Sequence, residues 1–498
     1  MADASPETIQ RLIGNSEKGL AQIEVSLPLI LKTRQVVEEA IRKQDGSNVV
    51  LDLILVVLDT ILAENEVTYD LSASLNALLK VDNDYTKRYY MQSLNLCFWE
   101  SCQVFVGEDG DEYGLLSQIE VLTKQLFQAG SQLIAKHIID DIQKFRKEYA
   151  DKELRNITRH YDDPIKMYEK QQKLTNIDYF AKGASQLIAI RMEVMVVSSY
   201  LLRLLNSLAL AKQPQNEVTP SRKSFSEKVN DTLFKTFKEK GLENEIQRVL
   251  EKGQSLLDEC YSQYNTCCRA ERFLEEKDYQ IPDSFKKLES LIRLRMEVLF
   301  LKNDVACSIW GYLNAASDME RSQNLRQIHI TKQAALTHLY GYNEKARGNS
   351  LWAKIMDIEE SSIKKFDTKR VEKMLDELTG NLADDRNNSN IFAHYRHLQD
   401  FYVPARLEAF DKMLHHKELF DAMKLFDVCK ALDGYTVVLL SCIHENQKQE
   451  TKRQRDEWIS RFDDLAVKVG NDERVKEVLK PIREFIDMIY PDESGCNN

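Results

Sequence analysis

Apolar residues recur along this chain at intervals of three and four, the spacing of one face of an α-helix. The clearest run is Leu187, Ile190, Val194, Val197, Leu201, Leu204 and Leu208, which predicts a helix–helix packing seam. A second, Leu425, Val428, Leu432, Tyr435, Leu439 and Cys442, predicts a helix over about 419–445. Val50, Ile54, Val57 and Ile61 predict one over 49–64, with Asp52 and Asp59 on its wet stripe. Tyr89, Tyr90, Leu94, Phe98, Trp99 and Phe105 mark another over 84–106, and Ile134, Ile138, Phe145 and Tyr149 a longer one over 115–153. Residues 5–44 read as one or two further helices, with Pro6 at a first helical position. The spacing predicts an all-α fold without a sheet of three or more strands.

Breaks in the pattern divide the chain. Residues 107–114 form an acidic, Gly-rich loop whose glycines lack the strand and Lys of a phosphate loop. Pro214, Pro220, Ser221 and Ser224 mark a linker over 212–224. A pair of charged helices follows to about 278, closed by the turn Ile281-Pro282-Asp283-Ser284. The order of helices then repeats: 285–304 answers 49–64, 324–342 answers 84–106, and 350–383 answers 115–153. Two charged helices, separated by Gly470-Asn471-Asp472, end the chain over 446–490. The expected units are an N-terminal helical region, 1–211, with a bundle at about 49–211, then a linker and charged helical pair over 212–282. A second bundle over 283–445 and C-terminal helices with a polar tail over 446–498 complete the division.

Composition narrows the classes. With 17 Gly and 9 Pro among 498 residues and 30% charged side chains, long solvated helices are expected. A net charge of -11 argues against a general nucleic-acid coating protein, yet leaves room for a small phosphate site, which local charge decides. Nine cysteines without a C-x-x-C pair point to a reduced, cytoplasmic chain with no zinc site, and no metal or cofactor is expected. The greasiest run, Val49 to Leu58, is far too short to span a bilayer, and the N-terminus shows no signal core, so a soluble protein with no membrane partner is expected.

The candidate chemistry sits in Leu154–Pro164. Arg155 offers a planar fork of donors for a phosphate, Asn156 a neutral donor and acceptor, and His160 a proton carrier near neutral pH. Residues five apart on an unbroken helix point about 140° away from each other. Both can face one phosphate only if the helix breaks between them, and Asp163-Pro164 is a helix start just beyond. An altered copy runs from Asp384 to Arg396. There seven residues separate Arg386 from His394, and Asn387, Asn388, Ser389 and Asn390 read as a turn-rich insert that could loop out. Tyr161 and Tyr395 directly follow the two histidines and read as core residues. His397, three after His394, has no third ligand nearby for a metal.

Arg155-Asn156-Ile157-Thr158-Arg159-His160, after a long helix in an all-helical chain, resembles the mark of the HEPN superfamily (higher-eukaryote and prokaryote nucleotide-binding domains). That mark is Arg, a polar residue, and His after four to six intervening positions. The resemblance implies two tandem HEPN-like bundles with flanking helices, paired within the chain so that both motifs line one cleft. It implies a metal-independent endoribonuclease serving antiviral defence or a toxin system. Arg155 would hold the scissile phosphate, Asn156 would stand in the polar place, His160 would move a proton, and the ribose 2′-hydroxyl would attack to leave a cyclic phosphate. Arg386 and His394 would supply the second motif, which departs from the family by its longer spacing. RNA is the expected substrate, and an antitoxin or regulatory protein, or a second copy of the chain, the expected partner. Some members carry a Tyr two places after the His; here it is one place after, so the modification known there is not expected. The alternative reading is a non-catalytic helical scaffold, or a regulatory partner that binds RNA or nucleotide without cutting it.

Overall fold

A computed structural model describes residues 27, 29–43, 48–107, 113–127, 132–157, 161, 163–209, 241–278, 280–281, 283–315, 317–341, 344–360, 368–380, 382–397, 400–413 and 415–469. Helix α1 covers 29–42. It is followed by α2 (Val49–Lys80), α3 (Asp84–Val106), α4 (Leu115–Phe127), α5 (Gln132–Tyr149), α6 (Lys152–Ile157), α7 (Pro164–Gln172) and α8 (Ile177–Ala209). The later elements are α9 (Leu242–Glu276), α10 (Asp283–Leu313), α11 (Asp318–Leu339), α12 (Glu344–Arg347), α13 (Leu351–Glu360), α14 (Thr368–Thr379), α15 (Leu382–Ala393), α16 (Val403–Lys412) and α17 (His415–Val469). Between α15 and α16 a hairpin of two-residue strands, β1 (Arg396–His397) and β2 (Asp400–Phe401), pairs antiparallel. The fold is all-α, and this two-stranded hairpin is the only sheet among the described residues. No described helix is long and apolar enough to cross a membrane.

Two long helices, α2 and α10, organise the packing. Helix α2 lies against α3, α4 and α8, and α10 against α9, α11 and α17. Asn48 caps α2 by accepting from the Val50 and Leu51 amides. The apolar faces of both helices enter one core, with Leu53, Val57 and Leu71 from α2 and Leu291, Phe300 and Ile309 from α10. Helices α9 and α10 approach closely where Gly253 meets Asn303; a Cβ at 253 would lie 2.7 Å from Asn303 Nδ2. Such contact distances favour Gly over any other residue.

Helix ends differ from the sequence reading, for a recurrent reason. Helix α2 runs to Lys80 rather than 64 because the polar residues that blurred its period are buried and paired. Glu64 pairs with Arg191, Glu66 with Arg326 Nη1 at 2.6 Å, and Asn76 donates to Glu320 at 2.6 Å. Asp59, expected on a wet stripe, is buried against Arg34 of α1; burial pushes its carboxyl up to about 6, against the lowering pull of Arg34. The helix expected over 115–153 is three: α4, α5 and the short α6. Helices expected to end at 445 and restart at 446 are one, the 55-residue α17. The expected loop-out at 387–390 is helical, inside α15. Of the charged pair over 225–278, α9 is described, while 210–240 and the Gly470 break lie outside the described residues, as do residues 1–26. The α8 seam holds where Leu187, Ile190 and Val194 are buried; Val197, Leu201 and Leu204 are half-buried.

Candidate functional site

Helix α6 brings Arg155 to its position by local capping. The Asp151 carboxylate accepts from the Glu153 and Leu154 amides at 2.8 and 3.0 Å, fixing the first turn. Asn95 on α3 locks that start to the bundle: its Nδ2 donates to the Asp151 carbonyl, and the Asp151 amide donates to its Oδ1, both at 2.9 Å. One turn on, Arg155 Nη2 donates to Glu100 Oε1 at 3.3 Å. Glu100 is buried on α3, between the apolar positions that define its period.

The second stretch reaches the same carboxylate. His394 follows the last residue of α15, its amide donating to the Asn390 carbonyl at 3.1 Å. Its Nδ1 lies 3.1 Å from Glu100 Oε1. Arg155 from one stretch and His394 from the other therefore share one oxygen of a buried carboxylate. Both line a cavity of about 480 Å³ whose wall also includes Tyr161, Asp304, His338, Lys354 and Asn390.

The two tyrosines are anchored across the molecule. Tyr161 donates to Asp304 Oδ2 on α10 at 2.8 Å, and Tyr395 donates to Asp70 Oδ2 on α2 at 2.6 Å. The same interval of 234 residues separates Tyr161 from Tyr395 and Asp70 from Asp304. Both rings are buried, as expected of core residues. The carboxylates differ in their other partners. Asp70 accepts from Arg406 Nη2 at 2.9 Å. Asp304 accepts instead from Tyr85 at 2.6 Å, and no cation among the described residues pairs with it. Burial drives the Asp304 carboxyl up to about 6, with the Tyr85 and Tyr161 hydrogen bonds pulling the other way.

His160 lies outside the described residues, as do the side chains of Asn156 and Arg386; the backbones of Asn156 and Arg386 belong to α6 and α15. Of the expected set, Arg155 and His394 are brought together. Sequence reasoning missed Glu100, a lone carboxylate within the aromatic run Phe98-Trp99-Glu100, where a charge at an apolar position was the available signal. It also missed His338. On α11, His338 Nε2 is 2.8 Å from Glu297 Oε2, and its ring lies 5.5 Å from that of Tyr161. Among the described residues no group of three or more His, Cys, Asp or Glu is arranged to hold a metal ion.

Lys354 belongs to two walls at once. It lines the cavity and also an adjoining groove with Lys286, Lys287 and Arg293, where Glu297 and Asp357 are the acidic members. A locally basic path thus reaches the cavity of an acidic chain. The chain matches no family model, no curated protein and no solved structure.

Proposed function

We propose that the protein is a metal-independent endoribonuclease built from two HEPN-like bundles in one chain, with its site in the cavity where Arg155 and His394 meet. The observation that carries the reading is their shared hold on Glu100, one residue from each Arg…His stretch. A guanidinium can bind a phosphate through charged hydrogen bonds, and an imidazole oriented by a carboxylate can move a proton. Attack by a ribose 2′-hydroxyl on the adjacent phosphorus needs those two functions. Lys354 and the basic groove beside it favour a polyanion as ligand. Service in antiviral defence or a toxin system, with an antitoxin or regulatory protein as partner, belongs to the same proposal, as does a cytoplasmic location.

A second reading has its own support. Arg155 and His394 both have Glu100 as partner, which suits a structural tie in a scaffold or regulatory protein as well as a resting active site. Mixed RNA incubated with purified protein in EDTA separates the two. Cleavage leaving 2′,3′-cyclic phosphate ends is expected, and Arg155→Ala and His394→Ala should each lower the rate by about 10² to 10⁴. If the doubly substituted protein folds and cuts RNA as well as the parent, or the parent does not cut, the scaffold reading stands.

A further inference from the structure

Transesterification of RNA moves two protons: one leaves the attacking 2′-hydroxyl and one joins the departing 5′-oxygen. His394 can carry one. We infer that His338, held by Glu297, carries the other, acting as the acid while His394 acts as the base. The inference rests on the ribonuclease reading of the cavity and adds to it a residue outside both Arg…His stretches.

Three observations support it. His338 lines the same cavity as Arg155 and His394. Its ring is fixed on two sides, by Glu297 at 2.8 Å and by the ring of Tyr161, itself anchored on Asp304. The two His–carboxylate pairs also differ in charge. Glu100 is shared between His394 and Arg155, so its negative charge is already met by a guanidinium. Glu297 is buried and, among the described residues, pairs with His338 alone. An undivided carboxylate is the better partner for an imidazolium, and that division gives the acid to His338.

The step balances without a metal, oxidant or reductant. The 2′-oxygen bonds to phosphorus as its proton passes to His394, and the P–O5′ bond breaks as His338 gives a proton to the departing oxygen. The products are a 2′,3′-cyclic phosphate and a 5′-hydroxyl, and exchange with water resets both imidazoles.

A sulfur leaving group needs no acid, because a thiolate departs unprotonated. An RNA oligonucleotide is made with 5′-bridging sulfur at the linkage the parent protein is found to cut. His338→Ala should cut ordinary RNA about 10² to 10⁴ more slowly than the parent, yet cut the sulfur substrate at near the parent rate. His394→Ala should be slow on both. Glu297→Gln, a positioning change that keeps the side-chain volume, should show a smaller loss on ordinary RNA with the same recovery on sulfur, and it serves if the alanine variant fails to fold. Equal slowness of the His338 and Glu297 variants on both substrates, or no slowness on either, overturns the assignment and leaves the ribonuclease reading intact. A parent that cuts neither substrate overturns both.

Discussion

Asp70 and Asp304 occupy matching places on α2 and α10, and each accepts a hydroxyl from the Tyr that follows a His in the opposite half. Their surroundings nevertheless set them apart. Asp70 has Arg406 at 2.9 Å, and Arg406 also reaches Glu66, so that end is a closed set of opposite charges. Asp304 has two phenol hydroxyls and a place on the cavity wall. The same backbone arrangement thus carries a carboxylate paired with Arg406 at one end and, beside the cavity, one that no cation among the described residues pairs with. A buried charge without a cation destabilises the fold unless a ligand or a proton answers it. Both ends tie residues distant in the sequence, and the Asp304 end lies on the cavity wall.

The largest effect should come from opening the closed end. Arg406→Met takes the Arg406 cation from half-buried Asp70 and from buried Glu66, which keeps Arg326; breaking a fully buried pair costs about 3–5 kcal/mol, and this partly exposed one should cost toward the lower end. Thermal unfolding should fall accordingly, and a loss within experimental error would mean Asp70 is as uncompensated as Asp304.

Glu418 is a second closed site and calibrates the pH response. Burial pushes its carboxyl up, but the hydrogen bond from His329 and the charge of Lys332 outweigh that and hold it at about 2. A carboxyl held below its unfolded value of 4.5 stabilises the fold above that pH and loses the contribution as pH falls toward 2. Glu418→Gln should therefore cost on the order of 3 kcal/mol near neutrality, with the gap from the parent closing under acid.

Asp304 should give the opposite slope. Its folded value of about 6 lies above the ordinary 3.8, so the folded protein binds the proton more readily and stability falls as pH rises through that window. Asp304→Asn should stabilise the fold at pH 8 by on the order of 3 kcal/mol at most, seen as a higher melting temperature, and the gain should vanish near pH 4. Asp70→Asn should lower it at pH 8. If both asparagine variants lose stability alike there, the two ends are equivalent and the comparison fails.

The smallest effects belong to the tyrosines. Tyr395→Phe removes one donor from an aspartate that keeps Arg406, and should cost about 1 kcal/mol. Tyr161→Phe leaves Asp304 with Tyr85 as its donor among the described residues, and should cost about 1.5–3 kcal/mol above pH 6 and less in acid. Urea titrations at pH 8 and pH 4 would resolve the difference, and equal costs at both pH values for Tyr161→Phe would count against a charged Asp304.

The helical class was legible because spacings of three and four survive wherever one face of a helix is apolar, as in Leu187, Ile190 and Val194. The Asp163-Pro164 start was legible too, since capping is local: Asp163 accepts from the Lys166 amide and Pro164 opens α7. The pattern misled where polar residues are buried in partnership. Glu64, Glu66 and Asp70 on α2 read in sequence as polar breaks in the apolar period, and only Arg191, Arg326 and Arg406, more than a hundred positions away, let Glu64 and Glu66 be buried and Asp70 half-buried. The turn expected at Asn387–Asn390 was overridden in the same way: Asn and Ser favour turns in isolation, but the segment is helical, with Ser389 and Phe392 buried on it.

By itself, the sequence determined the helical class, the Asp163-Pro164 helix start and the presence of two Arg…His stretches, all of which depend on neighbours within a few positions. Only the tertiary structure decided that Arg155 and His394 meet on Glu100, that His338 lines the same cavity from α11, and that Arg406 answers one aspartate while no cation among the described residues answers its counterpart. The physical reason is range. Hydrophobic period and capping act over one or two turns of helix, whereas a shared carboxylate or a buried charge pair joins residues from elements that the chain places hundreds of positions apart.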